Sequence, residues 1–297
     1  MADTAAPVSP MVEAAAAAGG GAPPPPRRRR RPTLFALACG WFVLLVALAA
    51  LADVLPFVSD FDEIVDAPRQ APSWDHWFGT DRLGRDVFAR SIYGARLSLI
   101  LAGSAVVCGL GIGGTLGLIA GYVRGFADSA ISTVVEILLS IPALILALAI
   151  TSFLGNGAPQ VVLALTLLSI APTARLVRAL TLQWSTREFV TAARMSGSNR
   201  RQVILSEILP NVAPATLSFT VLGVALLIIA EGALAFLGQS VSLPNPTWGF
   251  MIAEGAPNLD DAWWMALLPS AALFITIVSL NTLSDHISKG LSVGPAD

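Results

Sequence analysis

The sequence predicts an all-α membrane protein with six transmembrane helices and with both termini on the cytoplasmic side. Three observations carry this reading. Hydrophobic residues make up 55% of the 297-residue chain, charged residues only 13%, and the mean hydropathy is +0.71. A soluble domain carries about 25% charge, with which it covers its outside. This chain lacks that cover, so lipid must be the solvent for most of it. Next, several long stretches hold no charge at all, and about 20 helical residues cross a bilayer core of about 30 Å. Finally, the period-two alternation of a transmembrane β-barrel is absent, which leaves helices as the spanning elements.

The elements follow in order. Residues 1–32 form a low-complexity Ala/Pro/Arg-rich segment, expected as a disordered cytoplasmic tail. It ends in five arginines, Arg27 to Arg31. The first span, residues 33–56, lies in a charge-free run from Pro32 to Ala52, 21 residues long. Together with Ala50-Leu51-Ala52 the arginine run also looks like a signal peptide, but the apolar stretch exceeds the usual 7–15 residues. Residues 57–96 are expected as an outer loop and elbow segment, and 97–285 as the main transmembrane domain. Within it, Leu97–Val123 is a charge-free run of 27 residues. Ile137–Ala174 is a run of 38, divided by Gly155-Asn156-Gly157-Ala158-Pro159-Gln160 into a third span starting near Asp128 and a fourth continuing past Arg178. Ile208–Ala230 and Ala262–Ser284, 23 residues each, complete the six. Residues 286–297 are expected as a cytoplasmic tail.

Arginine placement sets the orientation. On this topology 13 of the 18 basic residues are cytoplasmic, while Arg69, Arg82, Arg85, Arg90 and Arg96 conflict with the rule in the first outer loop. The net charge of −2 gives no basic footprint for nucleic acid.

Gly109, Gly113, Gly117 and Gly121 repeat every fourth residue in the second span. Such a small-residue flank allows close helix packing, which lipid does not otherwise drive. Between spans four and five, residues 182–210 are the most polar helical stretch. Gly197 suits a left-handed helix end, and Ser198 or Asn199 suits the cap of a second helix. A helix, sharp turn and second helix are therefore expected on the cytoplasmic face, as a docking element. Charged residues inside spans are functional hypotheses by default. Glu231, near the outer end of span five, is a possible translocation-path residue; it is also open to pairing with an arginine. Glu136 reads as an end-of-helix residue, and Arg175 and Arg178 as snorkelling side chains. Trp248, Trp263 and Trp264 fit an interfacial aromatic belt. Cys39 and Cys108 read as small packing groups, and no metal-ligand spacing occurs around His76 and His286.

Thr191-Ala192-Ala193, three residues, Gly197, then Ile208-Leu209-Pro210-Asn211 resembles the coupling loop of ABC importer permeases. Thr191 stands where that family commonly has Glu, and the nearest acid is Glu188, one turn earlier. Phe78-Gly79-Thr80-Asp81-Arg82-Leu83-Gly84-Arg85-Asp86, Tyr93-Gly94-Ala95-Arg96-Leu97-Ser98, Ala230-Glu231-Gly232 through Gly238, and Pro246-Thr247-Trp248-Gly249 resemble the dipeptide, oligopeptide and nickel branch of the same family. The resemblance spans about residues 34–290 and is closest to the second permease subunit of a dipeptide transporter. It implies a type I ABC importer permease-like bundle that moves short peptides by alternating access.

It also implies partners: a homologous sister permease, two ATP-binding subunits and an extracellular or periplasmic substrate-binding protein, assembled in a bacterial cell membrane. Coupling to the ATPase falls on Glu188, Ala192, Ala193, Arg194, Gly197, Arg200, Leu209 and Pro210. The chain has no Gly-x-x-x-x-Gly-Lys-Ser/Thr loop. It is therefore expected to be no enzyme and to bind no cofactor; ATP and Mg are used by the partner subunits. The alternatives are a nickel or haem permease of the same type and a stand-alone ion-coupled transporter. The last would call for broken helices or an inverted repeat with midplane charges, and no convincing repeat is visible. An intramembrane hydrolase lacks its catalytic constellation.

Overall fold

The computed structural model describes residues 32–241 and 244–291, so the tail over 1–31 and the last six residues lie outside it. The described residues form nine α-helices, two short 3-10 turns at Ala52–Val54 and Ala256–Asn258, and no named strand. They are α1 (Pro32–Leu51), α2 (Val87–Val123), α3 (Gly125–Ser140), α4 (Ala143–Leu154), α5 (Ala158–Ser185), α6 (Glu188–Met195), α7 (Arg200–Phe236), α8 (Trp248–Gly255) and α9 (Trp264–Leu291). Five stretches are long and apolar enough to cross a membrane: Thr33–Val54, α2, α5, α7 and Trp264–Ser288. The pair α3 and α4, bent by 87°, makes a sixth when its two halves are counted together as one span. Neither half alone covers a 30 Å core at 1.5 Å per residue.

The bend is the first departure from the sequence reading, which placed one helix there. Ile141 is extended at φ −86, ψ 126, and Pro142 begins the second half. A proline ring clashes with a helical conformation at the residue before it, and its nitrogen has no hydrogen to donate. The second departure is at α2, which starts ten residues before the expected span. Residues 87–96 are helix rather than elbow. Asp86 caps this helix by accepting from the Ala89 N–H at 2.9 Å. The charge-free criterion excluded these residues because it counts Arg90 and Arg96, whose charges turn out to be paired. At the far end, α9 continues through residues 286–291 instead of ending in a tail.

α2 and α5 form the central pair. Gly109 meets Ser169, Gly113 meets Ile170 and Thr173, Gly117 meets Ala174 and Val177, and Gly121 meets Arg178 and Thr181. A Cβ on Gly117 would stand 2.6 Å from the Ala174 carbonyl oxygen. The seam is backbone against backbone, which only glycine permits. The apolar core extends outward from it through Leu101, Ala105, Leu165 and Ala164 to Ile228 and Leu234 of α7. α1 lies along α9, with Phe35 stacked on His286 at 3.7 Å and Trp41 Nε1 donating to Thr276 Oγ1 at 3.0 Å.

The end of the bundle opposite α6 is closed by residues 55–86 and α8. Arg85, 3% exposed, donates to Asp81 at 2.7 Å and to Asp62 at 3.2 Å. Arg90, 1% exposed, lies 3.5 Å from Asp81 and 3.7 Å from Glu254 of α8, and Arg82 also pairs with Glu254. Arg96 reaches Asp53 at 2.8 Å. Four of the five arginines that conflict with the charge rule are thus matched by acids. The loop doubles back tightly. Gly84 takes φ +83, and a Cβ there would strike the Asp66 carbonyl oxygen. The tryptophans also depart from expectation. Trp248 is fully buried, with Nε1 donating to the Ser91 carbonyl at 3.0 Å. Trp264 is buried too and donates to the Thr80 carbonyl at 3.1 Å. Of the three expected in the belt, Trp263 alone is exposed. The reason is that α8 folds back under the outer loop, a helix whose apolar run, Trp248 to Ala253, is too short to count as a span.

Candidate functional site

Residues 182–210 build a helix–turn–helix element at the other end. α5 stops at Ser185, and Arg187 is extended as the N-cap of α6. Glu188 sits in the first turn of α6 and Arg194 in the last, both matched to the helix dipole. Val190 is the anchor. It is fully buried in a cluster with Val177, Val203, Ile208 and Val212, with Ala193 half-buried beside it. The opposite flank faces outward: Glu188, Phe189, Ala192 and Met195 are exposed, Met195 to 84%. Arg194 is exposed but lies over the Tyr122 ring of α2, 4.9 Å from its centroid.

The turn is closed by backbone chemistry. Ser198 N–H donates to the Ala193 carbonyl and Gly197 N–H to the Arg194 carbonyl, each at 3.1 Å, with Gly197 at φ +89. This is a Schellman ending, in which the left-handed residue pays no Cβ penalty. Of the two possible caps the structure uses Asn199. Its side chain accepts from Gln202 N–H at 2.9 Å, and the Gln202 side chain accepts from Asn199 N–H at 3.0 Å. That is a reciprocal capping box. The second helix does not stop at the membrane. It continues as α7, with exposed Arg200 at its start and a π-helical stretch at Val203–Ile208. Leu209 is half-buried and Pro210 exposed. Pro210 has no N–H to give the preceding turn, and the widened turn sits directly before it. Among the eight coupling residues read from the sequence, Ala193 and Leu209 face partly inward. The other six are exposed. The sequence reading passed over Phe189 and Met195, whose three-residue spacing with Ala192 was the available signal.

Glu231 is enclosed at the other end of α7 and faces no open path. It is 1% exposed and accepts from the hydroxyls of Ser240 and Thr247, the latter at 2.8 Å. It makes no ion pair among the described residues. Its effect is to tie the loop after α7 to the start of α8. Arg178 does not snorkel: its guanidinium forks onto both carboxylate oxygens of Asp128, with Nη2 at 2.9 Å. A cavity of about 130 Å³ opens between α2, α3 and α5, and its lining includes Ala120, Ser132, Glu136, Arg175 and Arg178.

Residues 113–293 match the family described as binding-protein-dependent transport system inner membrane component. The chain belongs to that family. The permease is 36% identical over 258 residues to the glutathione transport system permease protein GsiD of Pectobacterium atrosepticum, a match covering 86% of each chain. It is 35% identical over 256 residues to the dipeptide transport system permease protein DppC of Bacillus subtilis, covering 85% of this chain and 80% of that one. A solved chain of the MetNI methionine ABC transporter overlays with a TM-score of 0.58, covering 67% of this chain and 94% of that chain. At 18% identity that likeness concerns the fold, which is that of an ABC importer permease. The chain is therefore the membrane-spanning permease subunit of an ABC importer.

Proposed function

We propose that this permease carries short peptides inward, with residues 182–210 as the surface on which a separate ATP-binding subunit pushes. The observation that carries the coupling role is the exposed flank of α6. Phe189, Ala192 and Met195 project from a helix held rigidly by Val190, with Glu188, Arg194 and Arg200 around them. A small Ala at the centre of an exposed apolar flank leaves room for a partner's side chains. Rigidity matters as much, because a push delivered to a loosely held helix would not reach the bundle. Here α7 is one continuous helix from Arg200 to Phe236, so a displacement at its start is carried along its length.

The peptide cargo is supported by relatives named for dipeptides and for glutathione, itself a small peptide. The full assembly in this reading holds a sister permease, two ATP-binding subunits that use ATP and Mg, and a substrate-binding protein on the outer face. Both termini lie in the cytoplasm, on the side of residues 182–210, in a bacterial cell membrane. The test is co-purification through a tag on this chain. Ala192→Arg and Met195→Asp leave the Val190 cluster intact and should strip the ATP-binding subunit from the complex while membrane insertion persists. Full recovery of that subunit with both variants would refute the coupling role. A strain lacking this gene should lose labelled dipeptide uptake; unaltered uptake would refute the cargo.

A further inference from the structure

Asp128, Glu136, Arg175 and Arg178 are four of the few charged residues on otherwise apolar spans, and they converge on one place. Asp128 and Glu136 lie two turns apart on α3; Arg175 and Arg178 lie one turn apart on α5. Asp128 and Arg178 satisfy each other through a forked pair, reinforced by Ser132 Oγ, which donates to Asp128 at 3.2 Å. That pair holds α3 against α5. Glu136 and Arg175 remain. They make no ion pair among the described residues, are exposed, and line the cavity of about 130 Å³ together with Arg178. Gly117, opposite Ala174 and Arg178, stands six residues before the end of α2, about 9 Å at 1.5 Å per residue.

Ionisable side chains on spanning helices are functional-site hypotheses by default. Two opposite charges, both exposed at one cavity and neither in an ion pair among the described residues, complement a molecule that carries both signs. We propose that this cavity is a binding subsite for zwitterionic cargo: Glu136 receives the α-ammonium end and Arg175 the α-carboxylate end of a short peptide in transit. The volume suits the charged ends and a short backbone, with side chains left outside, so one site serves many sequences. The inference rests on the peptide reading given above. A zwitterionic lipid headgroup carries the same two charges, and the experiment separates the two.

The test uses the whole importer in liposomes, with its binding protein saturated with a labelled dipeptide. The readout is peptide internalised per ATP hydrolysed. Glu136→Gln and Arg175→Gln should each lower this ratio about tenfold, the loss of one charge-assisted contact. Assembly and melting temperature should stay unchanged. Thr133→Ala, on α3 but outside the cavity lining, should match the wild type. The double reversal Glu136→Arg with Arg175→Glu should recover more transport than either reversal alone. Wild-type ratios in both Gln variants would overturn the subsite. So would a deficit that disappears when phosphatidylethanolamine is replaced by phosphatidylglycerol, which would assign the cavity to lipid. Failure of the wild type itself to carry dipeptide would instead refute the peptide reading.

Discussion

Two glycines of one helix should respond to the same substitution with opposite sign. Gly117 of α2 faces α5, where an added Cβ would stand 2.6 Å from the Ala174 oxygen, 2.8 Å from Val177 Cβ and 2.9 Å from the Arg178 nitrogen. Two of these three atoms are backbone and cannot turn aside. To restore ordinary contact near 3.4 Å the helices must part locally by about 0.8 Å. A gap of 0.5–1 Å forfeits about a quarter to a half of the dispersion attraction of the atoms it separates. The neighbouring contacts at Gly113 and Gly121 would share the strain. Overpacking of this kind costs about 1–3 kcal/mol. Gly111 lies on the same helix with nothing within 4 Å of its added Cβ. There Gly→Ala removes a helix penalty of about 1 kcal/mol and adds no clash. The two variants should therefore differ by about 2–4 kcal/mol, with Gly111→Ala at or above the wild type and Gly117→Ala below it. Thermal unfolding of the purified protein in detergent, followed by tryptophan fluorescence, measures the difference. If Gly117→Ala were as stable as Gly111→Ala, the close-packed seam would be refuted.

Two further outcomes are expected. Asn199→Ala removes one half of the capping box and should cost about 1 kcal/mol, seen as faster amide exchange confined to residues 196–204; unchanged exchange there would show that the cap is not holding the turn. Glu254→Ala takes away one of the two acids that the buried Arg85 and Arg90 share, leaving Asp81, and should destabilise by about 3 kcal/mol, the lower end for a broken buried pair, whereas the exposed Asp62→Ala should cost under about 1 kcal/mol; equal melting temperatures for the two would remove the charge cluster as the brace of that end.

Much of the fold is legible in the chain because its determinants are local. A run such as Ile208–Ala230 needs no partner to declare itself a span. Gly197 followed two residues later by Asn199 contains a complete stop and start, since the atoms that form the Schellman ending and the capping box lie within a few residues of each other. The four-residue glycine spacing likewise identifies a close-packed flank, though not the helix it meets. Ser140-Ile141-Pro142 was legible in principle, as a residue forced out of helical geometry by the proline after it. It sits inside a long apolar run, which masks the break.

The candidate sites are less legible, and the reason is sequence distance. Read singly, Glu136 is an end-of-helix acid and Arg175 a snorkelling base. Only the packing of α3 on α5 brings them to one cavity, with the neighbouring Asp128 and Arg178 already satisfying each other. Arg90 reads as a misplaced outer-loop charge until α8 carries Glu254 to it across the fold. Trp248 reads as a belt residue until the same helix buries it. The solvent, the five unbroken spans and the form of the 182–210 turn are written in the chain alone. These follow from transfer free energies and backbone conformations that each segment carries with it. The tertiary structure decided which charges are partners, which tryptophans are core and which acid and base remain unpaired. Coulomb pairing and close packing depend on distances that only the folded chain brings within a few ångströms.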